Sequence, residues 1–113
     1  MSKYHSQKTI ALGRQFDSRA EANRYRELVM MLKAGIVTDI ECQPVFVLQD
    51  KFKKHSKTIR EIKYIADFKV TYADGHVEIE DVKSGPSFRT EKYLLKKKLF
   101  DYKYRDLTIR EIY

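Results

Sequence analysis

The chain has one cysteine, two prolines, four glycines and no apolar run of membrane-spanning length, and each scarcity removes a class of protein. A lone Cys42 cannot close an intrachain disulfide; between Glu41 and Gln43, in an extended and partly buried stretch, it reads as a small strand or core residue. The few glycines form neither a phosphate-binding loop nor a dinucleotide-binding fingerprint. Three scattered histidines and Cys42 offer no zinc cluster, and no Cys-His or Ser-His arrangement suits nucleophilic catalysis. The polar start Met1-Ser2-Lys3-Tyr4-His5-Ser6 lacks the apolar core of a signal peptide, so a cytoplasmic location is expected and a membrane partner is not.

What the chain does have is positive charge. Lysine and arginine number 23 against 16 acids, a formal net charge of +7, which favours a polyanionic partner, nucleic acid first among them. An anionic membrane surface fits less well, because the basic residues are spread through strand and helix patterns rather than gathered on one amphipathic helix. At 113 residues, 42% of them apolar, the chain is one globular domain. Residues 16–113 carry the domain, and the basic, aperiodic stretch 1–15 reads as a flexible arm.

Along the domain, Asp17-Ser18 opens a helix to about Lys33, with Ser18 as N-cap, Glu21 three residues on as in a capping box, and Gly35 as the stop. Helical spacing turns Ala20, Tyr25, Leu28, Val29 and Leu32 toward a core and puts Glu21 on the same inward stripe. Such an acid has two competing roles, capping and chemistry, and Glu27 lies off the stripe in solvent. Ile36 to Cys42 and Val45 to Leu48 read as strands broken at Gln43-Pro44. Lys51 to Lys57 is a basic loop or hairpin tip. Strands from about Arg60 to Tyr72 and His76 to Lys83 follow, then Ser84-Gly85-Pro86-Ser87, a helix from about Phe88 to Lys103 with Leu95, Leu99 and Tyr102 at core spacing, and a strand from Leu107 to Ile112. This order implies an α/β fold, a mixed sheet flanked by helices.

The hairpin around Ala73-Asp74-Gly75 carries the candidate chemistry. A three-residue loop with left-handed Gly75 makes Tyr72 face His76 and Asp67 face Asp81, with Asp81 and Lys83 on one face of the sheet. Opposed β-carbons lie roughly 5 Å apart, close enough for two carboxylates to share a cation. A two-residue Asp-Gly turn would send Asp81 to the other face. Oxygen-only donors favour Mg2+, with Mn2+ as substitute, and Lys83 would orient or deprotonate the attacking water. The alternative is that both acids are solvated sheet charges with Lys83 as their salt-bridge partner. Alternation turns Glu78 and Glu80 away from the pair, where they read as surface charges. Lys53, Lys54 and Lys57 at the tip and Lys92 and Lys96, one turn apart on the second helix, are candidate phosphate contacts. The eight tyrosines fit core spacing as well as base stacking, and none is assigned to a site.

Ser18-x-x-Glu21 on the first helix, Gln43-Pro44 before a strand, Ile65-Ala66-Asp67-Phe68, Asp81-x-Lys83 and a following basic helix together resemble the PD-(D/E)XK nuclease superfamily, in particular its small phage-associated members of unknown function. The likeness spans about Phe16 to Phe100. It departs from the usual pattern at Ala66, where proline is common, at Asp81, where glutamate is commoner, and at Ser84, where glycine often follows the lysine. The resemblance implies a restriction-endonuclease-like core with a mixed four- to five-stranded sheet between helices. It makes Asp67 and Asp81 metal ligands, adds the Val82 carbonyl as a further ligand, and casts Lys83 as the catalytic lysine and Glu21 as the helix acid assisting the metal. The expectation is a Mg2+-dependent DNA endonuclease of phage or prophage type, acting in the host cytoplasm as a homodimer on branched, Holliday-junction-like DNA. The competing expectations are a non-catalytic nucleic-acid-binding protein on the same fold and a structural or assembly protein with no salt-sensitive DNA binding.

Overall fold

The computed structural model describes residues 8–85 and 89–113. Strands β1 (Thr9–Ala11) and β2 (Arg14–Phe16) form an antiparallel hairpin, with Leu12 and Gly13 at positive φ in its turn. Residues 9–15 therefore do not form the arm expected from composition: Ala11 and Phe16 are buried in a core, and that burial holds the hairpin down. Residues 1–7 of that arm lie outside the described residues.

Helix α1 (Arg19–Lys33) starts where the sequence says, with the Ser18 hydroxyl accepting from the Glu21 amide at 3.1 Å, and Gly35 follows its end at φ +79°. Its buried face is Ala22, Arg24 and Leu28. The expected stripe is rotated: Leu28 is buried, Tyr25 and Val29 are half-buried, and Leu32 is 40% exposed, because the packed seam runs through an arginine that apolar periodicity does not register.

Strands β3 (Val37–Cys42), β4 (Val45–Gln49), β5 (Phe52–Lys54), β6 (Lys57–Ile59), β7 (Ile62–Ile65) and β8 (Phe68–Tyr72) make one long folded ribbon. β3 pairs with β8, β4 with β7 and β5 with β6, all antiparallel, each pair nested inside the one before. Two physical breaks divide it. At Gln43-Pro44 the chain takes a positive φ of 52° and meets a residue without an amide hydrogen. Further out, the ladder of β4 and β7 continues into that of β5 and β6 across Asp50, Lys51, Arg60 and Glu61, where acid stands opposite acid and base opposite base, an unfavourable pairing that leaves these positions outside the strands. The expected strand from Arg60 to Tyr72 is thus two pieces, β7 and β8, with Arg60 and Glu61 outside both.

Strand β9 (Val77–Val82) returns antiparallel to β8 through Ala73-Asp74-Gly75, with Gly75 at φ +94° and the Tyr72 amide bonded to the His76 carbonyl at 2.9 Å. The register Phe68↔Glu80, Lys69↔Ile79, Val70↔Glu78 is that of the three-residue loop. Helix α2 (Glu91–Lys103), capped by Thr90, leads to β10 (Ile109–Ile112), which lies parallel to β9 and makes a mixed four-stranded sheet in the order β10, β9, β8, β3. The fold is mixed α/β. The expected start of α2 at Phe88 lies outside the described residues. Its core contacts come from Tyr93 and Phe100; Leu95 and Tyr102 are 59% and 73% exposed and only Leu99 packs inward, so the expected phase of this helix is corrected.

Both sheet faces are covered. Alternation sends Phe68 and Val70 into a core with α1, while Ile79 joins Phe46, Tyr64, Ala66, Tyr93 and Phe100 beneath α2. A strand buried on both sides has no solvent face, which is why Glu80, expected on the surface, is fully buried. Its carboxylate takes a two-pronged ion pair from Arg24 on α1, at 2.8 and 2.6 Å, and burial is tolerated because both charges are satisfied. Glu78 is half-buried and accepts from Tyr72 and Arg110, so it too is more than a free surface charge. No helix among the described residues is long and apolar enough to cross a membrane.

Candidate acid and lysine centre

Asp67 sits where the ribbon bends between β7 and β8. The register carries as expected to Phe68↔Glu80, but the ladder then changes: the Asp67 amide donates to the Glu80 carbonyl at 3.0 Å, and its carboxylate accepts from the Val82 amide at 2.6 Å. Asp67 is therefore not a regular cross-strand partner of Asp81. Its side chain stands in for the backbone acceptor that the bend removes, satisfying an amide that would otherwise go unpaired.

Glu21 reaches the same point from α1, close enough for its charge to act on the Asp67 carboxyl. It also accepts from the Asp17 amide at 3.2 Å, one residue before the Ser18 amide that the capping box anticipates. Capping and contact with the second acid, which read as exclusive, are met together. Burial first, then the neighbouring charge of Glu21, push the Asp67 carboxyl up to about 8; the Val82 amide opposes this and Asp81 adds to it. Asp67 therefore keeps its proton more readily than an ordinary carboxyl, and a cation beside it would oppose that.

Asp81 and Lys83 share the α2 face, as alternation requires, and the Lys83 ammonium lies 2.8 Å from Asp81 Oδ1. Asp81 Oδ2 accepts from the Tyr64 hydroxyl at 2.5 Å, and burial together with Asp81 pushes that phenol well above its ordinary value, so it stays a donor. Lys83 is 6% exposed, its amide bonds the Ile112 carbonyl at 2.7 Å, and its ammonium sits 3.3 Å from the centroid of the Tyr93 ring. The Tyr93 hydroxyl is anchored in turn on Glu111 at 2.8 Å.

Beside this cluster opens a cleft of about 390 Å³ walled by Asp81, Tyr64, Tyr93, Lys63, Thr90, Lys92 and Lys96. Lys92 and Lys96 thus face the same space as Asp81, whereas Lys53, Lys54 and Lys57 stand apart on the hairpin of β5 and β6. Tyr64, Tyr93 and Lys63 are absent from the residues that sequence reasoning singles out. Tyr64 meets Asp81 because the ribbon bends at Pro44 and Asp67; the sequence marks the break at Gln43-Pro44 but not the partner that the bend brings to Asp81.

The donors around Asp67 are all oxygen, the chemistry of a hard divalent cation. Among the described residues no three aspartate, glutamate, histidine or cysteine side chains make a cage for a metal ion. Glu21 and Asp67 meet each other, while both oxygens of Asp81 are engaged by Tyr64 and Lys83. That supply fits magnesium, which keeps several of its waters and is commonly held by one or two carboxylates together with a substrate phosphate.

Fold and site together define a mixed α/β protein with an acid and lysine cluster at one end of its sheet. The whole chain, residues 1–113, matches the model of a family described as a protein of unknown function (DUF1064), and the chain belongs to that family. No curated protein and no solved structure matches it.

Proposed function

We propose that this chain is a magnesium-dependent DNA endonuclease built on a restriction-endonuclease-like core. The observation that carries the reading is the placement of the half-buried Asp67 carboxyl at the bend of the ribbon, on the Val82 amide and near Glu21, Asp81 and Lys83, where burial and the Glu21 charge raise it to about 8. A carboxyl raised in this way beside other acids is one that a divalent cation would ionise and occupy. Glu21, Asp67, Asp81 and the Val82 carbonyl would hold magnesium. When bound, magnesium supplies Lewis acidity toward a phosphoryl oxygen and makes water a better nucleophile.

The chain's own residues do the rest. Lys83 offers three donors in a dry setting, positioned by Asp81 and by the Tyr93 ring to hold the attacking water and the phosphate against it. Lys92 and Lys96 meet phosphates along the cleft, and Tyr64 and Tyr93 wall it against solvent. Branched DNA of the phage recombination type is the favoured substrate, and a homodimer would supply the second cut.

The engagement of both Asp81 oxygens by Tyr64 and Lys83 supports a second reading, a non-catalytic DNA-binding protein whose acids serve structure. Cleavage of labelled four-way junction, flap, single-stranded and linear duplex DNA in magnesium, manganese or EDTA separates the two. The nuclease reading requires metal-dependent cutting that disappears in Asp81→Asn and Lys83→Ala while binding persists. Salt-sensitive binding without cutting on any substrate would leave the second reading in possession.

A further inference from the structure

The ribbon ends in an arm that the proposed cleft does not use. Every residue from Gln49 to Glu61 is exposed, β5 and β6 pack on each other, and among the described residues no other element packs closely on either. The turn is a two-residue one in which His55 and Ser56 both take positive φ, 50° and 64°, the geometry that keeps two twisted strands paired. Such a turn is costly without glycine, so the tip is a defined ribbon and not a slack loop.

Its charge is one-sided. Lys51, Lys53, Lys54, Lys57 and Arg60 lie between residues 51 and 60 with no acid among them, five of the net seven positive charges of the whole chain. Among the described residues, Lys53, Lys54 and Lys57 enter no salt bridge. Lys54 and Lys57 are direct cross-strand partners, a like-charge pairing that weakens a hairpin in water and that an interposed anion would relieve. On the same face, Phe52 and Ile59 form an exposed apolar pair, 45% and 38% exposed, behind the lysines.

We infer that this ribbon seats in the major groove of duplex DNA flanking the bond held in the cleft. A two-stranded ribbon matches a groove about 12 Å wide, its lysines reaching the phosphates on either rim and the Phe52 and Ile59 pair meeting base edges and thymine methyls. The inference rests on the DNA reading proposed above and sharpens its substrate: DNA that continues as duplex beyond the reacting strand.

The test uses the full chain and a labelled duplex, with a single strand of equal length beside it, titrated over a range of potassium chloride. Three proteins are compared: wild type, Lys53→Ala/Lys54→Ala/Lys57→Ala, and a variant in which residues 52–59 are replaced by a two-residue Asn-Gly turn joining Lys51 to Arg60. Because no element among the described residues packs closely on the arm, both variants should keep the wild-type thermal unfolding transition. Three lost phosphate contacts should reduce the slope of log affinity against log salt by about 2.7 and weaken duplex binding at least tenfold near 0.1 M salt, with a smaller loss on the single strand. Wild type should also shield guanine N7, a major-groove atom, from dimethyl sulfate on the flanking duplex, and the shortened variant should not. An unchanged slope, or absent N7 protection, in a wild type that binds DNA overturns this inference alone. A wild type that neither binds nor cuts DNA overturns it together with the reading on which it rests.

Discussion

Arg24 on the first helix and Glu80 on the central strand β9 form a two-pronged ion pair at 2.8 and 2.6 Å, closed off from solvent on the glutamate side. The pair pins α1 over the strand that carries Asp81, and α1 in turn delivers Glu21 to Asp67. Removing one partner strands a buried charge: Arg24→Ala or Glu80→Ala should cost about 3–5 kcal/mol in urea unfolding. The double replacement Arg24→Met/Glu80→Leu should recover most of that loss, since an apolar pair of similar volume carries no desolvation penalty. If the double variant is as unstable as the sum of the singles, the pair is not acting as a unit.

Asp67 sets a pH dependence. Its folded carboxyl is raised to about 8 from an ordinary value near 4, so the folded chain keeps a proton that the unfolded chain releases. The associated stability is full below about pH 4, is lost as pH rises through the folded value, and levels off above it. Asp67→Asn imitates the protonated form. The melting temperature of the variant minus that of wild type, in EDTA, should therefore grow between pH 4 and pH 8 by about 5 °C or more, and added magnesium should shrink it at the alkaline end. A difference independent of pH would mean that Asp67 is ionised without a cation.

The Tyr93 ring beneath the Lys83 ammonium separates ring from hydroxyl. Tyr93→Phe keeps the aromatic face and loses only the bond to Glu111, so cleavage in magnesium should stay within about threefold of wild type. Tyr93→Leu removes the face and should lower kcat about tenfold with duplex affinity little changed. Equal losses in both variants would assign Tyr93 to packing alone.

Gly75 is a purely conformational requirement. A β-carbon there would meet no atom within 4 Å, yet its φ of +94° is one that side chains rarely adopt. Gly75→Ala should cost about 1–2 kcal/mol in unfolding, through the backbone of the turn that fixes the register between Phe68 and Glu80. A neutral substitution would show that the turn relaxes without moving that register.

Local rules made part of this molecule legible. The N-cap at Ser18, the stop at Gly35 and the turn at Ala73-Asp74-Gly75 each follow from the chemistry of one or two residues, and with the turn came the face shared by Asp81 and Lys83. What stayed hidden depends on neighbours distant in sequence. Glu80 reads as a surface acid because alternation names the face opposite Asp81 without saying that α1 covers it. The phase of α2 is obscured by Leu94 and Leu95, apolar residues left in solvent at 39% and 59% exposure, while Tyr93 and Phe100 take the core. Asp67 reads as a cross-strand partner of Asp81 until the ribbon bends at Pro44, and the same bend brings up Tyr64.

The nesting of the ribbon also bears on the order in which the chain can fold. From His55-Ser56 outward, each pairing of β5 with β6, β4 with β7 and β3 with β8 closes only a short additional loop once the previous one is in place, so the entropy of closure is met in small steps, as in zipping. The parallel pairing of β9 with β10 must bring together Ile79 and Ile109 across the intervening α2, a single long closure. The exposed tip of the ribbon is thus the natural starting point of assembly, and the meeting of Glu21 with Asp67, which needs α1 docked on the completed ribbon, belongs to its later stages.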